Sequence, residues 1–396
     1  MPNKKIAAIV TEYRPRSHAD VIVGKFLRGF PTDKGLHPPR VEIVSMYLDQ
    51  INEDDTGVET AKAFDVPIYP SIRSALTLGG DDLAVDAVLI IGEHGDYPLN
   101  EKEQKLYPRR HFFEQVAGTL SSAGESVPVF SDKHLSYNWH DARWMYDRAK
   151  ELHIPFMAGS SLPVCWRRPY LEYPLGTPLD AAVAIGYGPT ESYGFHALET
   201  LQCMVERRQG GETGVESVQC LEGEAVWQWL EDNPRQAGLA EAAGEAIEET
   251  EGSWEKVSER VEAPVAFIVT YRDGLIATVL MLNGYSTSFA FAGLTEGTVE
   301  ACEFRLQSGD PHGHFSYLGL NVEEMFLTGQ PTYPVERTLL TTGILATAMD
   351  SRYRDHAKLY TPHLAINYKP AESVPFRPTG PEPSGATLNP WPPEKG

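Results

Sequence analysis

The chain has 396 residues, of which 42% are hydrophobic and 22% are charged, a composition typical of a globular protein with two domains. Its 34 lysines and arginines against 55 aspartates and glutamates give a formal net charge of −21, and such a charge repels nucleic acid and anionic membrane surfaces. Because the sequence has no signal-peptide pattern, no apolar run of roughly 20 residues and no C-x-x-C pair among its four cysteines, we expect a cytoplasmic protein with reduced thiols and no membrane partner.

The first predicted elements are a strand and a helix. Residues 6–10 form an apolar run that predicts a buried strand, and the 3.6-residue spacing of apolar positions in residues 21–27 predicts a helix. The loop between them reads Thr-Glu-Tyr-Arg-Pro-Arg-Ser-His, without the glycines that let a backbone approach a dinucleotide pyrophosphate. Ser17 is a candidate N-cap, and Arg14 and Arg16 could either receive an anion or be plain solvated loop residues.

Strands alternate with helices through the first 158 residues. We predict further strands at 41–48, 66–69, 85–91, 127–130 and 154–158, and helices at 59–64, 71–78, 110–123 and 140–152. This alternation predicts a parallel sheet covered by helices on both faces. Asp49, at the end of the second strand, has the position of a ribose-binding acid in nucleotide-binding folds, or is an acid in an ordinary turn.

The pattern changes after residue 158. We predict strands at 181–187, 217–220, 266–271, 275–282, 286–292 and 299–306, a helix at 196–206 and an exposed acidic helix at 239–251. Asp273-Gly274 marks a hairpin, which the following strands extend into an antiparallel meander with one face covered. Residues 371–396 carry prolines without periodicity and predict an extended tail. The predicted division is 1–157, a Rossmann-like domain; 158–370, an α+β domain for substrate and oligomerisation; and 371–396, the tail.

Polar side chains follow three strands of the first domain at their carboxyl ends, where open parallel sheets bind ligands. They are Glu12 and His18, then Glu93, His94 and Asp96, then Asp132, Lys133 and His134. We predict that this set forms a site, since lysine and histidine at such an edge can act as general acid or base. A further pair of histidines in Asp310-Pro-His312-Gly-His314 is interpreted as a polar turn.

Two segments resemble a known family. Residues 85–158, with Asp132-Lys133-His134 after the second strand, resemble the segment of the glucose-fructose oxidoreductase, inositol dehydrogenase and MocA-like (Gfo/Idh/MocA) family that ends in a Glu-Lys-Pro signature. The stretch from Glu191 to Glu199 is similar to that family's D-x-G-x-H-x-x-D segment, with Ser192 at the position of the aspartate. Over roughly residues 4–360, the resemblance implies a Rossmann-like parallel-sheet domain followed by an α+β domain with an open, mainly antiparallel sheet.

The resemblance also implies a function. Members of the family move hydride between NAD or NADP and a sugar, a polyol or a related compound. On this interpretation Lys133 is the catalytic lysine and His196 the substrate-contacting histidine, both handling the hydroxyl proton, while Glu93 and His94 shape the site. The candidate cofactor-binding residues are Arg14, Arg16, Ser17 and Asp49.

Two alternatives stay open. One is a metal-dependent, non-redox lyase or isomerase acting on a sugar-derived substrate, in which imidazole and carboxylate groups hold a divalent cation. Its candidate ligands are His18, His94, His134, His196 and Glu199. The other is a non-catalytic sugar-binding or scaffold protein that has lost its cofactor. In each case we expect a small sugar-like ligand and a homo-oligomer, the latter because an open sheet leaves a face exposed.

Overall fold

The computed structural model describes residues 3–307 and 309–381. Its first half contains the strands β1 (Lys4–Val10), β2 (Phe30–Thr32), β3 (Gly35–His37), β4 (Val41–Leu48), β5 (Ala87–Ile91), β6 (Val129–Asp132) and β7 (Phe156–Gly159). The helices of this half are α1 (His18–Arg28), α2 (Gly57–Ala63), α3 (Ile72–Thr77), α4 (Arg109–Ala123) and α5 (Trp139–Glu151). Five strands form a sheet of order β4-β1-β5-β6-β7 in which every pair is parallel, as predicted, and β2 pairs with β3 in a short hairpin.

Strand β1 shows why this half of the sequence is easy to interpret. Ala7 and Ile9 belong to the hydrophobic core on one face of the sheet, whereas Ile6, Ala8 and Val10 belong to the core on the other face. Because both faces are covered, the strand is apolar at consecutive positions, and each fully buried isoleucine or valine side chain contributes about 1.5–3 kcal/mol. The run of apolar residues therefore predicts both the strand and its central position.

The second half is built on an eight-stranded mixed sheet. Its strands are β8 (Trp166–Arg168), β9 (Leu179–Gly186), β10 (Val215–Glu222), β11 (Val265–Tyr271), β12 (Ile276–Met281), β13 (Phe289–Thr295), β14 (Thr298–Arg305) and β15 (Leu359–Tyr360). The helices are α6 (Ser192–Val205), α7 (Glu224–Asp232), α8 (Pro234–Glu245), α9 (Val257–Arg260), α10 (Gly313–Thr328) and α11 (Val335–Tyr353). Three short 3₁₀ helices cover Leu162–Val164, Trp254–Lys256 and Pro362–Leu364.

The strand order is β15-β10-β11-β12-β9-β13-β14-β8, which corrects the predicted meander. The hairpins β11–β12 and β13–β14 are antiparallel, as predicted. Strand β9, however, lies between them, parallel to β12 and antiparallel to β13. Turn residues predict which neighbours in sequence pair, but they contain no information about a strand that inserts from far along the chain.

Helix α8 corrects the prediction of an exposed helix at 239–251. Leu239, Ala240 and Ala243 are buried and belong to one hydrophobic core with Val183 and Ala292 of the sheet. Helices α6 and α11 contact the same sheet and belong to the separate core on its other face. Helices therefore cover the face of the sheet that we predict to be exposed. An exposed sheet face consequently does not support the predicted homo-oligomer.

Other parts of the sequence also differ from expectation. Residues 66–69 form only a bridge between Met46 and Ile68 rather than a strand, and helices α10 and α11 were not predicted. Of the predicted tail, residues 371–381 contain no helix or strand, and residues 382–396 lie outside the described residues. The domain division after residue 157 stays a prediction. No helix in the described part of the chain is long and apolar enough to cross a membrane.

Candidate functional site

A cavity of about 800 Å³ opens at the carboxyl ends of β5 and β6, where they face α6 and the start of α10. Five of the predicted catalytic and metal-ligand residues line it, namely His18, Glu93, His94, Lys133 and His196. They come from the first residue of α1, from the loops after β5 and β6, and from α6. The parallel sheet brings the strand ends together, and the packing of α6 adds the last histidine.

Lys133 and His196 form a close pair in this cavity. Both side chains are buried, and the Lys133 Nζ lies 2.5 Å from Nε2 of His196. Desolvation by burial, reinforced by the charge of Lys133, holds the pKa of His196 well below its ordinary value, so the imidazole is neutral at neutral pH. Because a lysine ammonium only donates hydrogen bonds, Nε2 is the acceptor and Nδ1 carries the proton.

Glu93 provides the negative charge beneath this pair. Its Oε1 lies 3.7 Å from the Lys133 Nζ, and its Oε2 forms an ion pair with the fully buried Arg109 at the start of α4. Burial opposes ionisation of Glu93, but the charges of Lys133 and Arg109 prevail and lower its pKa below the ordinary range. Arg109, which was not among the predicted site residues, thus keeps a carboxylate ionised next to the lysine.

Room for Arg109 comes from a glycine. A Cβ at Gly92, the residue before Glu93, would lie 2.6 Å from Cγ of Arg109. Arg109 also places Nη1 3.0 Å from Nε2 of His134, and the same nitrogen of His134 lies 3.1 Å from Glu191. His134 is therefore engaged in this buried network of charges and does not line the cavity.

Histidines 18 and 94 form the wall near α1. Nδ1 of His18 lies 2.6 Å from Oδ2 of the buried Asp132, which fixes the orientation of its ring. The ring centroid of His94 lies 5.4 Å from that of His18. Desolvation, followed by the charge of His18, lowers the pKa of His94 to about 3. His94 is consequently neutral, and its Nε2 has no hydrogen-bond partner among the described residues.

The segment interpreted as a polar turn also reaches the cavity. His312, His314 and Phe315 line it, and the ring of Phe315 meets that of His18 at a centroid distance of 5.2 Å. His314 is buried, which lowers its pKa to about 3. The sequence shows the two histidines but not their place, because no local pattern indicates that residues near 312 return to the first sheet.

The five candidate metal ligands do not meet. Whereas His18, His94 and His196 face the cavity, Glu199 is buried against Gly159 and accepts the Ser160 N–H at 3.1 Å. Across residues 3–307 and 309–381, no group of three or more histidine, cysteine, aspartate and glutamate side chains is arranged to hold a metal ion. The geometry therefore gives the metal-dependent alternative no site.

Only one of the four candidate cofactor-binding residues faces the cavity. That residue is Arg16, in the loop two residues before α1. The other three are Arg14, Ser17 and Asp49, and each is hydrogen-bonded or ion-paired within the protein itself. The residues at this end of the sheet do not fit a dinucleotide held in the manner of a glycine loop.

No protein-family model and no curated protein matches the chain. Among solved structures, it is similar to GenD2 from gentamicin A biosynthesis in complex with NAD, with a TM-score of 0.55 and 13% identity over 91% of this chain and 97% of that chain. A myo-inositol dehydrogenase from Lactobacillus casei in complex with NAD(H) and myo-inositol gives the same four values.

The chain is also similar to the scyllo-inositol dehydrogenase from Lactobacillus casei with bound NAD(H) and scyllo-inositol. That structure gives a TM-score of 0.56 and 10% identity, and covers 91% of this chain and 99% of its own. At such identities the likeness concerns the fold. The chain has the two-domain fold of these dehydrogenases, with a Rossmann-like parallel sheet and a mainly antiparallel second sheet, which confirms the predicted fold class.

Proposed function

We propose that this chain is a member of the Gfo/Idh/MocA family and an enzyme that acts on a sugar, a polyol or a related small hydroxylated compound. The observation that carries the proposal is the pair of Lys133 and His196, 2.5 Å apart at a cavity of about 800 Å³. Further support comes from the shared fold, since two of the similar structures are dehydrogenases crystallised with inositols.

In this proposal, Lys133 and His196 move the proton of a substrate oxygen. The neutral imidazole of His196 is a proton acceptor, and the ammonium of Lys133 donates to oxygen and stabilises negative charge that develops there. Glu93 balances the charge of Lys133, and Arg109 is a positioning residue that acts through Glu93. The ring of His94 lines the cavity, and we assign it a contact with the substrate.

The pair of Lys133 and His196 fits two classes of reaction. An oxidoreductase dependent on NAD or NADP is the class that the fold suggests, and the cofactor would supply hydride transfer. A non-redox isomerase or lyase is the second candidate. The pairing of Arg14, Ser17 and Asp49 within the protein favours this second class.

The experiment is a turnover assay by NMR on a panel of sugars, polyols and inositols, with and without NAD and NADP. Lys133→Met and His196→Gln are each expected to lower turnover by about 10²–10⁴-fold, the usual contribution of general acid–base catalysis. Lys150→Met is the matched control, because the Lys150 side chain is 62% exposed on α5, away from the cavity. Wild-type turnover in both site variants would refute the assigned roles. Ligand binding without turnover would instead support the non-catalytic alternative.

A further inference from the structure

We propose that the chain's own side chains close the crevice that would hold a dinucleotide in this fold, and that the reaction at Lys133 and His196 is a redox-neutral proton transfer next to a carbonyl group. The first half of this proposal stands on the geometry near β1 and β4. The second half rests on the proposed function.

The position of a pyrophosphate in such a crevice is the N-terminus of the helix after the first strand. Here Ser17 Oγ accepts the N–H of Arg14 at 3.2 Å and that of Asp20 at 3.3 Å. The carboxylate of Asp20 accepts the N–H of Arg16 at 2.8 Å. The amides of Arg14, Arg16 and Asp20 are therefore already used, and a negative charge already lies in the first turn.

A second carboxylate lies at the end of β1. Glu12 is buried, and its Oε1 lies 2.7 Å from Nε of Arg14. Arg14, one of the two arginines predicted to receive an anion, is thus engaged by a carboxylate. Because glycine would leave this space open, whereas Glu12 and Asp20 both add negative charge, the loop is unfavourable for a diphosphate.

The carboxylate at the position that would bind a ribose is also engaged within the protein. Both oxygens of Asp49 accept hydrogen bonds, one from the hydroxyl of Tyr47 at 2.7 Å and the other from the hydroxyl of Tyr97 at 2.6 Å. Tyr97 belongs to the loop after β5, whereas Asp49 belongs to the loop after β4. A ribose would have to displace both phenols to reach this carboxylate.

These two loops are also joined by a second residue pair. Gln50 accepts the N–H of Asp96 at 2.7 Å and donates to the carbonyl of Asp96 at 3.1 Å. Because β1 lies between β4 and β5 in the sheet, the pair crosses the carboxyl end of β1. A dinucleotide in this fold lies across that edge, and here the loops are hydrogen-bonded to each other over it.

The cavity extends from Arg16 and His18 near the start of α1 to the pair of Lys133 and His196. Glu12, Asp49 and Gln50 are outside its lining, which instead includes Lys133 and His196. We assign the space beside the lysine and the histidine to one hydroxylated ligand. Because a closed crevice admits no hydride carrier, a reaction confined to that ligand has to conserve its electrons.

Proton transfer next to a carbonyl meets this condition. The ligand's carbonyl oxygen takes the hydrogen bond that Lys133 gives to His196, which frees Nε2 of His196 to accept the proton from the neighbouring carbon. The C–H electron pair becomes the C=C bond of an enediol, while Lys133 protonates the carbonyl oxygen. His196 then gives its proton to the former carbonyl carbon, and the hydroxyl group on the neighbouring carbon gives its proton to Lys133, which yields the isomer and restores both side chains. No electrons leave the substrate, so no oxidant is required.

Two measurements on the full chain test the proposal. The first is native mass spectrometry of the freshly purified protein followed by calorimetric titration with NADH and NADPH. We expect no carried dinucleotide and no saturable binding up to about 1 mM, the upper end of ordinary KM values. The second is NMR in D₂O with aldoses, ketoses and inososes and no added cofactor. We expect deuterium at the carbon next to the carbonyl, and a rate at least about 100-fold lower in Lys133→Met.

The outcomes separate this proposal from the proposed function. Carried or saturable dinucleotide would overturn the closed crevice, and the proposed function would survive if Lys133→Met still lost turnover. No dinucleotide together with no deuterium exchange for any compound would overturn the redox-neutral reaction. Exchange that is equal in the wild type, Lys133→Met and Lys150→Met would overturn the proposed roles, because the exposed Lys150 serves only as the control.

Discussion

Replacing Arg109 with methionine tests the charge arrangement beneath Lys133. The change removes the guanidinium that pairs with Glu93 but keeps an unbranched side chain beside Gly92. Breaking a buried ion pair by removing one partner costs about 3–5 kcal/mol. Here we expect the lower end, about 3 kcal/mol, because the Lys133 Nζ remains 3.7 Å from Glu93.

The assay is urea unfolding at pH 7, with Arg143→Met as the control. Arg143 forms an ion pair with Asp147 at 2.8 Å, but its side chain is 47% exposed, so we expect the control to lose less than about 1 kcal/mol. An Arg109→Met loss as small as that of the control would show that the buried pair contributes no more than a surface pair.

The pH dependence separates charge from packing. The lowered pKa of Glu93 stabilises the folded wild type above the unfolded pKa of the group, and this stabilisation is lost as the pH falls through the folded pKa. In Arg109→Met the desolvation of Glu93 is less compensated, so its carboxyl group takes up a proton at a higher pH. The difference between the two proteins should therefore be largest near pH 7 and shrink towards pH 4. A constant difference would assign the loss to packing and refute the electrostatic reasoning.

Two further predictions concern the buried region around Glu199. Gly159→Ala should destabilise the protein by about 1–3 kcal/mol more than Gly176→Ala in thermal unfolding. Both glycines have a positive φ, but only at Gly159 would a Cβ lie 2.7 Å from Glu199 and 2.9 Å from Thr338. Equal losses of stability in the two variants would contradict this close approach. Burial raises the pKa of Glu199 from an ordinary value of 4.5 to about 7. The wild type should therefore lose stability relative to Glu199→Gln as the pH rises through this interval. Parallel curves of melting temperature against pH for the two proteins would contradict the pKa shift.

The first half of the fold follows from the sequence because its strands are covered on both faces. Apolar runs such as residues 87–91 are then continuous, and Ser17 caps α1 as predicted. The second half of the fold is harder to predict from the sequence, for a related reason. Helix α11 is buried over most of its length, so it lacks a one-sided apolar stripe. The hydroxyl groups of Thr338, Thr341 and Thr342 donate hydrogen bonds to backbone carbonyl oxygens.

The candidate site likewise has one part that the sequence predicts and one part that it does not. Strand ends predict that Glu93, His94 and Lys133 share an edge, because parallel strands align their carboxyl ends. The ion pair of Glu93 with Arg109 and the return of His314 to this edge depend on tertiary packing. Neither contact leaves a trace in local periodicity, so a single sequence cannot predict them.

The place of β9 has a consequence for how the chain folds. Leu179–Gly186 finds its partners only when residues 276–281 and 290–295 are available. At ribosomal rates of about 5–20 residues per second, that segment waits on the order of 10 s for its neighbours. During this time an apolar strand is unpaired on both edges, which is the state most prone to aggregation. We therefore expect the sheet of the second half to form later during synthesis than the pair of β1 and β4, whose partners are nearer in sequence.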